Sequence, residues 1–95
     1  MKKQNKYDFN KLYEAILTLQ TKEECSAFFN DICTIQEVES LAQRIDVAMR
    51  LKKGENYIDI NKNTGASTAT ISRVSRYLNY GAGGYDIVIQ RLENK

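Results

Sequence analysis

The chain has 95 residues, a hydrophobic content of 42% and a formal net charge of +2. That length allows one domain, 1–95, with a thin core of its own, which small helical domains often complete by dimerising. No apolar run approaches the roughly 20 residues of a membrane-spanning helix, and with no histidine and only Cys25 and Cys33 the usual catalytic triads and metal sites lack their members.

Met1 to Tyr7 is polar, is expected to fray, and carries lysines without the apolar run of a signal peptide. Asp8 can cap a first helix running to about Gln20, with Phe9, Leu12, Tyr13, Ile16, Leu17 and Leu19 forming a wide apolar face. Thr21 with Glu24 has the spacing of a capping box. The second helix places Cys25, Phe28, Phe29, Ile32 and Cys33 on one side. Its two cysteines stand about 12 Å apart on a helix, too far for a disulfide. They are expected to be reduced core residues of a cytoplasmic protein. Thr34 with Glu37 repeats the capping box and opens a long third helix to about Lys53. Val38, Leu41, Ala42, Ile45, Ala48 and Met49 line one side of it, and Gly54 stops it.

The stretch from Tyr57 to Leu78 has the order of a helix-turn-helix. Ile58, Ile60 and Thr64 give a short helix a modest apolar side, and Gly65 supplies the sharp exit. Ser67 can cap the next helix, read over 67–79, in which Ile71, Val74 and Leu78 recur at inward-packing spacing. The opposite side carries Thr68, Ala69, Ser72, Arg73 and Arg76. Small residues at a helix start can approach base edges, and arginines further along can reach phosphates or guanines. After this unit Gly81 is read as a C-terminal cap, and Gly83 and Gly84 as a flexible turn. A last helix over about 85–92 carries Tyr85, Val88, Ile89 and Leu92 on one face, with Ile87 off it. An off-face isoleucine points to a second apolar contact, such as another subunit.

Charge follows the same division. Residues 1–42 hold five lysines against seven acids, whereas 43–80 hold seven bases against three acids. Positive charge gathers in and just before the proposed reading unit, as nucleic-acid binding requires. Lys52 and Lys53 either complement a helix C-terminus or clamp a phosphate, and spacing leaves both open. The acidic pairs Glu23–Glu24 and Glu37/Glu39 read as first-turn helix acids. The run from Gly81 to Gly84 lacks the Lys-Ser/Thr of a phosphate loop. An enzyme is not expected.

The segments GASTATISRVS, at 65–75, and QRIDVAMRLKKGE, at 43–55, resemble the reading helix and preceding helix of the Trp repressor family. The resemblance is clear from about Val38 to Leu78, and within the family it is strongest to the Trp-repressor-like proteins of Gram-positive bacteria. It implies an all-α, six-helix chain and an intertwined homodimer on a double-stranded DNA operator, with helices 8–53 and 85–92 forming the dimer. On that reading Thr68, Ala69 and Ser72 approach bases or nearby phosphates, and Thr70 and Arg76 contact the DNA backbone. Arg73 serves either DNA or an effector pocket.

Arg44 and Arg73 match the two arginines that hold the ligand in tryptophan-binding members. Those members carry glycine immediately after the second arginine, where this chain has Val74. The expectation is that Val74 occupies the space of the indole and that tryptophan is not the co-repressor. No cofactor is expected, and a different small-molecule effector stays open. Asn61 and Ile58 stand where relatives carry basic residues, and the chain between Gly54 and Gly65 is one residue shorter. DNA contacts from the first helix of the unit are therefore not carried over. The alternative, kept open by the modest net charge, is a protein-interaction module that uses the same helix-turn-helix face.

Overall fold

The structure, a computed structural model, describes residues 7–95, so only Tyr7 of the segment expected to fray falls within it. The described residues form six α-helices and no strand: α1 (Phe9–Leu17), α2 (Lys22–Ile32), α3 (Ile35–Lys52), α4 (Tyr57–Thr64), α5 (Thr68–Tyr80) and α6 (Gly84–Glu93). The chain divides into two compact units between Val38 and Glu39, inside α3.

In the first unit the helix starts follow side-chain caps. Asp8 accepts the Asn10 N–H at 2.9 Å and opens α1. The helix ends at Leu17, three residues before the expected stop at Gln20. The Thr18 hydroxyl donates to the Ala15 carbonyl, and the Gln20 N–H donates to Glu24 at 2.8 Å. Residues 18–21 are thus taken up in closing α1 and capping α2. Thr21 accepts the Glu24 N–H at 3.0 Å. At α3 the capping box is fully reciprocal, with Glu37 N–H donating to Thr34 Oγ1 at 3.1 Å and Thr34 N–H donating to Glu37 at 2.8 Å.

Neither α1 nor α2 contains a buried residue. Leu17 is 82% exposed, and Phe9, Leu12, Tyr13 and Ile32 are exposed as well. Phe28 and Phe29 pack edge to face at 5.5 Å between centroids without becoming buried. The two cysteines are free, with Cys25 exposed and Cys33 partly so. The core position expected for Cys25 fails because α2 buries nothing within this single chain.

The second unit holds the core: Val47, Ala48, Ile60, Ala66, Ile71, Val74 and Ile89, with Met49, Leu51, Leu78 and Tyr85 packed against it. Only the C-terminal half of α3 contributes. Val47, absent from the expected apolar face, is fully buried, whereas Leu41 and Ile45 on that face are exposed. Nine residues from Val38 to Val47 make about two and a half turns. Ala48 and Met49 of the expected stripe do join the core, so the buried side of the helix is rotated from that stripe and overlaps it only at its C-terminal end.

Helix α3 closes with Glu55 N–H donating to the Arg50 carbonyl and Gly54 N–H to the Leu51 carbonyl, the paired bonds of a Schellman end. On α6 only Ile89 is buried; Val88 and Leu92, expected beside it, are exposed, as is Ile87. Gly81 does cap α5, but with extended backbone. What it requires is space, since a Cβ there would collide with the Tyr77 carbonyl. Gly84 is already helical. The turn expected at Gly83 and Gly84 is the link 81–83, with Gly83 as the left-handed cap of α6.

Candidate nucleic-acid interface

Helices α4 and α5 are held by a dense set of local bonds. Asn56 caps α4, accepting the Asp59 N–H at 2.9 Å. Ile60 is fully buried, but Ile58 is 79% exposed, so the apolar side expected for this helix reduces to one anchor and the half-buried Thr64. Gly65 takes the left-handed conformation at φ 76°, and its N–H donates to the Asn61 carbonyl at 2.8 Å. A residue with a Cβ is strained there.

Four further bonds fix the corner. The Thr64 hydroxyl donates to the Ile60 carbonyl at 2.6 Å and accepts the Ala66 N–H at 3.1 Å. The Asn61 side-chain amide donates across the turn to the Ala66 carbonyl at 2.7 Å. Gln43 on α3 donates to the Thr64 carbonyl at 3.2 Å. Ala66 itself is buried. Asn61, Gln43 and Asn56 are the residues that sequence reasoning missed. Asn56 followed by Asp59 was a legible cap pattern, whereas the reach of Asn61 and Gln43 depends on the folded corner.

Ser67 caps α5, accepting the Thr70 N–H at 3.1 Å, and its hydroxyl also donates to Thr70 Oγ1 at 3.1 Å. The helix then runs 68–80, against the expected 67–79. Ile71 and Val74 are buried beneath it, as their spacing implies. Thr68, Ala69, Ser72, Arg73 and Arg76 are all exposed. Thr70 stands apart from them. It is half-buried and lines a depression together with Arg44, with its hydroxyl already engaged by Ser67.

The cations divide into paired and free. Arg50 pairs with Asp46 at 3.0 Å and with Glu55 at 3.1 Å, and these bonds, Glu55 first, hold its guanidinium above the ordinary arginine range. Lys52 pairs with Asp86 at 2.9 Å and ties the end of α3 to α6. Among the described residues Lys11, Lys22, Arg44, Lys53, Lys62, Arg73, Arg76, Arg91 and Lys95 make no ion pair. Helix α5 contains no acidic residue. Of these unpaired cations, Arg73 and Arg76 lie on α5, where no acid shares the helix to offset them for a polyanion.

Two open depressions flank this surface. One, of about 370 Å³, is lined by Ala69, Ser72, Arg73, Arg76 and Tyr77. The other, of about 320 Å³, is lined by Arg44, Thr70, Arg73, Val74, Tyr77 and Tyr85. The structure thus brings Arg44, Arg73 and Val74 together around one cleft, with the nearly buried Val74 as its apolar floor. Tyr77 and Tyr85 belong to the same cleft. Sequence periodicity put Tyr85 on the apolar face of the last helix but gave no reason to place either residue in this cleft.

A family model described as Trp repressor protein matches residues 7–93. The chain is 50% identical over 86 residues to the uncharacterised protein YerC of Bacillus subtilis (strain 168), covering 90% of this chain and 83% of that one. A crystal structure from Staphylococcus aureus superposes with a TM-score of 0.87 at 46% identity, covering 92% of this chain and 87% of the other. A TrpR-like protein from Eubacterium eligens ATCC 27750 gives a TM-score of 0.86 at 54% identity, with coverage of 88% and 87%.

Proposed function

The chain belongs to the Trp repressor family, a family of DNA-binding regulators and not of enzymes, and from that premise we propose that it is a dimeric, sequence-specific transcriptional repressor that reads the major groove with α5. The observation that carries this reading is the exposed side of α5. Small or hydroxylic Thr68, Ala69 and Ser72 lie at its start, unpaired Arg73 and Arg76 follow, and a bonded corner fixes the helix. Thr68, Ala69 and Ser72 approach the bases, and Arg76 holds the phosphate backbone. Arg73 stands between DNA and the cleft. Thr70, half-buried and bonded to Ser67, meets the backbone through its N-terminal turn.

A second copy of the chain supplies what α1 and α2 lack. Their apolar residues have no core to enter, and a symmetric partner would cover them. Two copies of α5 would then enter successive major grooves about 34 Å apart on a pseudo-palindromic operator. A cytoplasmic location accords with free cysteines and with DNA as partner.

The protein is proposed to bind DNA without tryptophan and with no cofactor. Val74 puts a branched side chain at the floor of the cleft between Arg44 and Arg73. Room for a differently shaped effector stays above it. The test is selection from a random duplex pool with and without tryptophan. Enrichment of a palindrome without tryptophan is the expected result. Enrichment only with tryptophan would overturn the tryptophan-independent reading, and none under either condition would overturn DNA recognition.

A further inference from the structure

Tyr80 is 88% exposed and Tyr77 50% exposed, both on the C-terminal half of α5. Burying a tyrosine ring is favourable, and its hydroxyl can still reach a polar partner. Tyr77 lines a depression with the unpaired Arg73 and Arg76, and Tyr80 follows Arg76 by about one helical turn on a helix without acids. We propose that Tyr80, with Tyr77 beside it, extends the interface of α5 from the bases onto the sugar–phosphate wall of the groove. This rests on the DNA-binding reading above and adds a contact which that reading does not contain.

Helix geometry places the residues. Tyr80 follows Ala69 by eleven residues, which is about three turns with little remainder, so the two share one line along α5. Arg73 and Arg76 fall on either side of that line. The rise along a helix sets Tyr80 about 16 Å beyond Ala69. The major groove is about 12 Å wide. A helix that lies across the groove with Ala69 against base edges therefore brings the same face to the groove wall by Tyr80.

The wall presents anionic phosphates and the apolar faces of deoxyribose. A tyrosine matches both, with its ring on the sugar and its hydroxyl donating to a phosphate oxygen. The neighbouring guanidinium groups of Arg73 and Arg76 supply the charge. Such a contact adds affinity for any duplex and carries no base preference. Tyr80 is the cleaner probe of the two, because Tyr77 also lines the cleft with Arg44 and Val74.

The experiment uses the full chain, a duplex carrying the selected palindrome and an unrelated duplex of equal length, with fluorescence anisotropy as the readout. Tyr80→Ala is expected to weaken binding to both duplexes by the same factor, about fivefold for one lost hydrogen bond and its packing. Tyr80→Phe keeps the ring and is expected to fall between Tyr80→Ala and the unsubstituted protein. Equal affinity of Tyr80→Ala and the unsubstituted protein for both duplexes would overturn the proposal while leaving DNA binding intact. A loss confined to the selected palindrome would overturn it in favour of base reading. A changed oligomeric mass at equal affinity per dimer would overturn it in favour of a contact between copies. Binding of neither duplex by the unsubstituted protein would overturn the DNA-binding reading itself, and this proposal with it.

Discussion

Residues 7–38 and residues 39–95 carry similar amphipathic helices and use them differently. In the first unit no side chain of α1 or α2 is buried, although Phe9, Leu12, Tyr13 and Leu17 line one helix. In the second, seven buried residues are drawn from α3, α4, the turn, α5 and α6. Its corner is fastened by side-chain bonds to backbone carbonyls. An apolar stripe states that a helix needs a partner surface; it does not state where that surface comes from. The reading unit finds it within its own chain. The N-terminal helices present theirs outward, and a second copy is our proposed cover.

That contrast can be broken at several points. The largest effect belongs to the core beneath α5. Ile71→Ala removes a fully buried side chain and is expected to cost about 2–5 kcal/mol in chemical denaturation. A loss below about 1 kcal/mol would show that the second unit is less closely packed than described. Gly65→Ala forces a Cβ into the left-handed corner and is expected to cost about 1–2 kcal/mol. Asn61→Ala removes the bond across the turn and is expected to cost about 1 kcal/mol. Asn61→Ala without any loss of stability would show that the corner holds its shape unaided. The smallest effect is expected in the first unit. Leu17→Ser, at an exposed position, is expected to change the stability of dilute protein by less than about 0.5 kcal/mol. It should weaken self-association measured by sedimentation at high concentration. Unchanged association would remove Leu17 from the proposed dimer face.

Much of this was legible in the sequence where the determinant is local. The caps at Asp8, Thr21, Thr34 and Ser67 follow from residue type and spacing, and the structure shows each accepting its N–H. The glycine exit at Gly65 and the buried pair Ile71 and Val74 were equally plain. What escaped depends on tertiary placement. Val47 lies off the stripe that periodicity picks out on α3, yet it is buried together with that stripe's Ala48, which depends on what packs there. Ile58 looked like core by composition but points to solvent, because residues two apart on a helix face opposite ways and Ile60 takes the buried side. The end of α1 was displaced by the cap of the next helix, a competition that no single-helix rule weighs.

At the candidate site the same boundary holds. The exposed residues of α5 could be named from spacing, but their lack of ion pairs could not. Lys52 illustrates this: its sequence position left a phosphate clamp open, and its bond to Asp86 gives it a structural partner. Tyr77 and Tyr85 join Arg44 and Arg73 around one cleft only because α3, α5 and α6 bring them there.

The most direct test of the central claim compares Arg76→Ala with Ser72→Ala on a selected duplex across a range of salt concentrations. If unpaired Arg76 holds a phosphate, Arg76→Ala lowers affinity for all sequences and reduces the salt slope by about one, while Ser72→Ala changes base preference and leaves the slope intact. Unchanged affinity and slope for Arg76→Ala, together with an unchanged base preference for Ser72→Ala, would contradict the assignment of α5 as the DNA-reading surface.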